Sequence, residues 1–259
     1  MGFIGGTIGY RLLRRLSPGT TGNNDYTAYE GKSKVEVLFG PEVWNELAGK
    51  VVVDFGCEGG LESIDLAKHG VKKVIGVDLY EDTLAVARRR AEEAGVGDRC
   101  VFTREPAEKV DVVMTLDAFE HFADPAGMLE VMGKLLKDDG IILACFGPTW
   151  YHPLGGHGFS IFPWAHLVFT EKAIMRWYGD FSREKPTKFS EVRGGLNQMT
   201  IGRFERIVAA SDFRFESFKA VPIRKLKPLQ NRLTREFTTA VVRCKLVRRE
   251  APAKHSQVT

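Results

Sequence analysis

The chain has 259 residues, of which 44% are hydrophobic and 27% are charged, and its formal net charge is +4 at pH 7. This composition excludes a largely disordered chain, and the length suits one α/β domain with additions. The four cysteines lie at scattered positions without a CxxC pair or a metal-like spacing: Cys57, Cys100, Cys145 and Cys244. We therefore expect a reduced, cytoplasmic protein.

Charge is unevenly distributed along the chain. Residues 183–249 carry 17 Lys and Arg against 6 Asp and Glu, so the rest of the chain has a net charge of −7. A basic C-terminal third could meet an anionic substrate, a membrane surface or nucleic acid, or it could be a solvated face. Residues 10–16 form a short basic amphipathic stretch that either packs on the domain or lies on a membrane surface. No segment reaches the roughly 20 apolar residues of a membrane span, and the first ten residues lack the features of a secretory signal.

In chain order, a loop rich in Gly, Thr and Asn comes first, at residues 17–31. Two of its aromatic residues, Tyr26 and Tyr29, could close over a ligand. Strands then alternate with helices, with a turn at Asp139-Gly140: helix end 41–47, strand 51–53, helix 61–69, strand 74–77, helix 83–94, strands 100–102 and 110–115, helix 128–136 and strand 141–145. This alternation predicts right-handed βαβ units and a parallel sheet covered on both faces.

The second half of the chain departs from this alternation. Residues 149–199 are rich in aromatics, Gly and His, and an insertion after a strand's carboxyl end lies where open α/β sheets bind ligands. We expect a substrate lid there, with four substrate-binding aromatics: Trp150, Tyr151, Phe162 and Trp164. A helix at 200–210 and strands at 213–221 and 240–246 predict an antiparallel edge.

The predicted fold is therefore a doubly wound α/β domain with a mostly parallel, seven-stranded sheet and an antiparallel edge. Its expected parts are an N-terminal helical cap (1–49), a cofactor-binding core (50–148), the lid (149–199) and a C-terminal helix with strands (200–249).

The first strand ends in the pattern Asp54-x-Gly56-x-x-x-Gly60, and a helix follows. Glycine permits tight backbone turns and close approach, and a helix N-terminus presents free N–H groups to an anionic moiety. Such a turn alone would also fit a dinucleotide. Asp78 ends the second strand, where a carboxylate can accept hydrogen bonds from both ribose hydroxyls.

With the Glu120-His121 pair after the fourth strand and the Leu-Leu-Lys-Asp-Asp-Gly run at 135–140, residues 51–145 resemble a known family. This family comprises the class I S-adenosylmethionine-dependent methyltransferases of the UbiE-like, methyltransferase domain 11 group. The resemblance implies S-adenosyl-L-methionine as the cofactor and S-adenosyl-L-homocysteine as the product. The implied cofactor-binding residues are Asp54, Gly56, Cys57, Glu58, Gly60, Asp78, Leu79, Glu105, Ala107, Leu116 and Asp117.

Two positions depart from the family pattern. Glu58 stands where the family has its second glycine, so the turn either shifts to Gly59 or directs Glu58 towards the cofactor's ammonium group. The family's acid after the third strand is absent in register, and Glu105 or a backbone group must serve instead.

Methyl transfer to a hydroxyl or amine requires the acceptor to be aligned and to lose a proton. Histidine is the commonest base near neutral pH, and the catalytic candidates are His121, His152 and His157. No metal is expected, because His152, His157 and His166 have neither i, i+4 spacing nor a neighbouring carboxylate.

The sequence thus predicts an S-adenosylmethionine-dependent methyltransferase that O-methylates a small apolar or aromatic molecule. Two alternatives remain open. One is a non-catalytic cofactor-binding regulatory protein, which the Glu58 departure motivates. The other is a nucleic-acid or protein methyltransferase using the basic C-terminal third, although the chain lacks an N/D-P-P-Y/F motif and a Pro-Cys pair. We expect a small-molecule acceptor as the partner and no binding of nucleic acid. Residues 1–16 or the basic C-terminal third could make peripheral contact with a membrane.

Overall fold

The computed structural model describes residues 2–17, 31–159, 161–183, 185–192 and 194–250. The greater part of the predicted N-terminal loop, with Tyr26 and Tyr29, lies outside these residues. Within them, ten α-helices and seven strands follow the chain in this order: α1 Gly6–Leu16, α2 Lys34–Phe39, α3 Val43–Leu47, β1 Val51–Phe55, α4 Leu61–Lys68, β2 Lys73–Val77, α5 Glu81–Glu93, β3 Cys100–Thr103, β4 Val110–Leu116, α6 Pro125–Leu135, β5 Leu136–Phe146, α7 Ala165–Val168, α8 Glu171–Tyr178, α9 Ile201–Ala209, β6 Phe213–Pro222, α10 Arg235–Thr238 and β7 Thr239–Arg248.

The seven strands form one sheet in the order β3-β2-β1-β4-β5-β7-β6. Strands β1 to β5 pair in parallel, while β7 pairs antiparallel with both β5 and β6. The predicted doubly wound fold and its late antiparallel pair are therefore confirmed. The antiparallel strand β7 lies between β5 and β6, so β6 forms the edge of the sheet.

The strands at the centre of the sheet are apolar on both faces because helices cover both sides. On one face, α2 to α5 pack against residues such as Val52 and Val74. On the other face, α6 and α9 pack against residues such as Val113 and Ile142. A third cluster joins α1, α7 and α8 to the aromatic residues that follow β5.

The predicted turn at Asp139-Gly140 is wrong. Helix α6 ends at Leu135, and β5 begins at once with Leu136, which pairs with Val110. Residues 137–140 form a bulge within this ladder, because the next pair joins Val112 to Ile141. None of the described helices combines the length and the apolar composition that crossing a bilayer takes.

Candidate cofactor and acceptor site

The turn after β1 lies at the carboxyl edge of the sheet, between β2 and β4. The backbone N–H groups of Gly56 and Cys57 donate to the Val77 carbonyl at 2.8 and 3.0 Å, which ties the turn to the end of β2. Gly56 has φ +87°, and a Cβ there would lie 3.0 Å from the Cβ of Ala118. Glycine at this position therefore keeps the edge between β1 and β4 open.

Glu58 has a backbone conformation that favours glycine. Its φ is +43°, in the left-handed region, whereas Gly59 has no positive φ, so the turn has not shifted by one residue. The Glu58 side chain is exposed, and its N–H donates to Asp78 Oδ2 at 3.0 Å. Glu58 thus adds a carboxylate to the rim of the site, while its backbone adopts the left-handed conformation that favours glycine.

Replacing Glu58 with glycine is expected to stabilise the protein slightly, by about 0.5–1 kcal/mol. A non-glycine residue in the left-handed region costs about 1–2 kcal/mol, and the greater freedom of glycine in the unfolded chain offsets part of the gain. Chemical denaturation of the Glu58→Gly and wild-type proteins measures the difference. Glu58→Ala is the matched control, because it removes the carboxylate and keeps the strain; equal stabilisation by both variants would contradict the explanation.

Asp54 and Asp78 lie in different surroundings. Asp54 is 2% exposed, it accepts a 2.6 Å hydrogen bond from Ser63 Oγ, and burial together with nearby Glu62 raises its pKa to about 7. Asp78 is partly exposed, and its carboxylate accepts from the N–H groups of Glu58 and Tyr80. Asp54 is therefore a buried residue beneath the turn, and Asp78 lies at the exposed rim of the site.

The remaining predicted cofactor residues fall into two groups. Leu79 is 75% exposed beside Asp78 and offers an apolar surface, and Glu105 and Ala107 are exposed after β3. Cys57 and Leu116 are buried in the core beneath the turn, and burial raises the pKa of the Cys57 thiol, so it stays protonated. These assignments stay predictions.

Lys34 is a residue of this edge that sequence reasoning missed. Its ammonium lies 2.8 Å from Asp117 Oδ2 and 3.4 Å from Glu62 Oε1. Burial lowers the pKa of Lys34, but the two carboxylates more than compensate and leave it above its usual value. Asp117 itself has φ +51° at the end of β4. No motif marks Lys34, because helix α2 reaches the edge only through the tertiary fold.

The Glu120-His121 pair lies in the loop after β4 and contacts the segment of residues 149–199, called the aromatic segment below. The side chain of Asn197 donates to the carbonyls of Phe119 and Phe122 at 2.6 and 2.8 Å. The His121 ring meets the His157 ring edge-on, with centroids 5.1 Å apart. Asn197 was also missed, since a lone Asn in a loop carries no sequence signal.

The predicted substrate-binding aromatics are distributed between core and surface. Trp150 is 3% exposed and packs against His166 and Phe189. Tyr151, Phe162 and Trp164 are partly exposed, and the Trp164 indole donates to the Tyr151 carbonyl at 2.9 Å. Trp150 therefore supports the aromatic segment from within, and the other three retain surface for an acceptor.

His152 and His166 are held neutral by their surroundings. His152 Nδ1 accepts from the Leu154 N–H at 2.9 Å, and burial lowers the pKa of His152 to about 4. His166 is 1% exposed, its Nε2–H donates to the Trp150 carbonyl at 2.7 Å, and burial lowers its pKa. A cationic ring could not accept the Leu154 hydrogen bond, so protonation of His152 would disrupt that turn.

Acid is expected to destabilise the protein through His152. Between pH 6.5 and about 4 the unfolded chain binds a proton at His152 that the folded chain does not, so this contribution to stability falls as pH falls. Asn can accept the same hydrogen bond without titrating. From pH 7 to pH 5 the wild type should lose about 1 kcal/mol more than His152→Asn, after allowance for solvent screening. Urea unfolding at both pH values measures this, and parallel losses would refute the assignment.

Comparison with known proteins matches the part of the chain that forms this edge of the sheet to a protein family. A family model described as a methyltransferase domain matches residues 53–144. A ubiquinone biosynthesis O-methyltransferase from Ruegeria sp. is 38% identical over 138 residues, covering 50% of each chain. One from Neisseria meningitidis is 36% identical over 104 residues, covering 38% of this chain and 44% of that protein. The chain thus matches half or less of the length of these relatives.

Solved structures share the fold. Magnesium protoporphyrin IX methyltransferase from Synechocystis, with bound S-adenosyl-L-homocysteine, superposes with a TM-score of 0.56 at 18% identity, covering 94% of this chain and 95% of that one. The matched residues 53–144 contain the turn after β1, Asp78 and the Glu120-His121 pair. Residues 53–144 therefore match a methyltransferase domain, and the chain shares its fold with a solved methyltransferase.

Proposed function

We propose that the protein transfers a methyl group from S-adenosyl-L-methionine to a hydroxyl of a small apolar or aromatic molecule. The observation that carries the proposal is the convergence at one edge of the sheet. The glycine turn after β1, Asp78 after β2 and the Glu120-His121 loop after β4 meet there, beneath the aromatic segment. The relatives named for ubiquinone biosynthesis support an aromatic hydroxyl as the acceptor.

The residues present fit the cofactor. The space beside Gly56 is one that a Cβ would fill, and Asp78 and Leu79 offer a carboxylate and an exposed apolar surface side by side. Asp78 would hold the ribose and Leu79 would lie against the adenine. The carboxylates of Glu58, Asp78 and Asp117 favour a ligand that carries ammonium and sulfonium charges. When bound, this cofactor supplies an activated methyl group.

The chain's own residues then have to position the acceptor and remove its proton. Tyr151, Phe162 and Trp164 would wall the acceptor and exclude water. His121 donates its Nδ1–H to the Gly195 carbonyl at 2.7 Å, which leaves the Nε2 lone pair to receive the hydroxyl proton. Burial and the neighbouring His121 lower the pKa of His157 to about 3, so the His157 ring is a poor base at neutral pH.

Two measurements test this function. Isothermal titration should show binding of S-adenosyl-L-methionine, and a labelled-methyl assay on phenols and catechols should show transfer that His121→Ala lowers at least about 100-fold. His69→Ala, directly after the C-terminal end of α4, is the control. Absence of cofactor binding would refute the proposal. Binding without transfer to any acceptor would instead favour a regulatory role.

The four cysteines support the expected compartment. All of them are buried and free. Buried thiols without disulfides suit a reducing environment, and we propose a cytoplasmic location on this ground.

We also propose that α1 docks on an anionic membrane surface. Ile8, Leu12 and Leu16 are spaced by four residues and are 72%, 40% and 57% exposed, while Leu13 on another side is buried. Arg11 and Arg15 are exposed and follow Ile8 and Leu12 by three residues. An apolar stripe beside arginines lets the side chains enter the acyl boundary while the guanidinium groups meet phosphates.

The wild type should cosediment with vesicles of phosphatidylglycerol and phosphatidylcholine, and less so as salt is raised. Ile8→Glu/Leu12→Glu should weaken binding at least about 10-fold, because two charges would enter the acyl boundary. Val131→Glu, at a 40% exposed position of α6, is the matched control. No wild-type binding, or equal loss in the control, would contradict docking by α1.

A further inference from the structure

Three side chains with metal-ligand atoms meet where the loop after β4 contacts the aromatic segment. One donor atom each of Glu120, His121 and His157 lies within 4.8 Å of the other two. We propose that these residues bind a divalent first-row transition-metal ion. The spacing of the histidines within the aromatic segment argues against a metal, but this site uses only one of them and takes its other two ligands from beside β4.

Both histidines present a ring nitrogen that is available to a metal ion. His121 donates Nδ1–H to the Gly195 carbonyl at 2.7 Å. The Nε2 of His157 is buried and has no hydrogen-bond partner among the described residues. In His121 the proton is on Nδ1, which faces the Gly195 carbonyl, so its Nε2 carries the lone pair. Metal-binding histidines are oriented by a second acceptor in the same way.

The side chain of Glu120 also has one oxygen without a hydrogen-bond partner among the described residues. Glu120 is 2% exposed, and its Oε1 accepts from the Gly147 N–H at 3.0 Å. Its Oε2 is buried and finds no donor among the described residues. A buried polar atom without a hydrogen-bond partner destabilises a fold, and here two such atoms, Glu120 Oε2 and His157 Nε2, share one cluster. One cation would satisfy both.

The donor set selects the class of ion. Two imidazoles and one carboxylate suit Zn²⁺, Co²⁺, Fe²⁺ and related ions better than Mg²⁺ or Ca²⁺, which prefer oxygen ligands. Three protein ligands leave at least one position open for water or another oxygen. A bound ion would also join the aromatic segment to the sheet edge, since His157 and His121 belong to different parts of the chain.

One consequence rests on the proposed function. An acceptor hydroxyl in the open position would lose its proton more readily, because a bound cation stabilises the oxyanion. His121 would then be a metal ligand rather than the base, since the ion occupies its Nε2 lone pair. Methyl transfer that is unchanged by chelation would keep His121 as the base.

Binding itself is measured without any methyl transfer. The full-length protein is stripped with EDTA and titrated with Zn²⁺ by calorimetry and with Co²⁺ by visible absorption, whose ligand-field bands report nitrogen and oxygen ligands. We expect one equivalent to bind and to raise the thermal midpoint of the wild type. His157→Ala and His121→Ala should each weaken binding at least about 10-fold, and Glu120→Gln should do the same if it folds.

His152→Asn is the matched control, because His152 lies in the same aromatic segment outside the cluster and Asn can accept the hydrogen bond from the Leu154 N–H. Far-ultraviolet circular dichroism establishes that each variant is folded before titration. No saturable binding of either ion, or equal affinity in wild type, His121→Ala and His157→Ala, would overturn the proposal. Failure of methyl transfer alone would leave the metal titration as an independent result.

Discussion

Asp78→Ala is expected to weaken binding of S-adenosyl-L-methionine about 100-fold or more. The carboxylate stands beside exposed Leu79 at the end of β2, where it would accept hydrogen bonds from the ribose. Hydrogen bonds to charged groups contribute about 1.5–3 kcal/mol each, so the loss of two gives at least this factor. The substitution also frees the N–H of Glu58, which donates to Asp78 Oδ2. Calorimetric titration measures the affinity.

Two further variants sharpen this experiment. Asp78→Asn keeps one acceptor oxygen and should lose less affinity than alanine. Asp98→Ala removes a carboxylate that is 80% exposed after α5 and should bind like the wild type. A change below about threefold in Asp78→Ala would show that Asp78 does not hold the cofactor.

Gly60→Ala is expected to destabilise the fold by about 2–5 kcal/mol. Gly60 has φ +76°, and a Cβ there would lie 2.7 Å from the Cβ of Ala87 and 3.0 Å from the ring of Phe102. The left-handed conformation costs about 1–2 kcal/mol, and overpacking between α5 and β3 adds about 1–3 kcal/mol. Urea unfolding gives the difference in the free energy of unfolding.

Neighbouring glycines separate these two causes. Gly70 has φ +88° with open space around it, so Gly70→Ala carries the strain without the clash. A Cβ at Gly59 would clash with the end of the flexible Arg90 side chain and make an ordinary contact with Val86. The φ of Gly59 is not positive, so Gly59→Ala should cost least. The expected order of destabilisation is Gly60, then Gly70, then Gly59. Equal effects at Gly60 and Gly70 would exclude the packing explanation.

Much of the fold could be predicted because local patterns set it. The β-branched run at 51–53 and the apolar run at 74–77 need helices on both faces, and the intervening helices have one apolar side each. The turn at Asp139-Gly140 was predicted wrongly, because β5 pairs with β4 through Leu136 and the ladder overrides the local turn signal. The sheet position of β7 also depends on pairing between distant segments.

The candidate site shows the same division. Asp54, Gly60 and Asp78 could be placed at the sheet edge from the sequence, because parallel strands bring their carboxyl ends together. Lys34 beside Asp117 could not, because 83 residues separate them in the chain and helix α2 has no pattern that marks the contact. Asn197, which holds the Glu120-His121 loop, was missed for the same reason.

By itself the sequence determined the order of strands along the chain, the glycine turn, the acid near the end of β1 and the acid that follows β2, since spacing and residue type are local properties. Only the tertiary structure decided that Glu58 adopts the glycine conformation and that His157 of the aromatic segment meets Glu120 and His121. Those outcomes depend on which buried groups find partners when distant segments pack, and hydrogen-bond satisfaction in a core is a property of the whole fold.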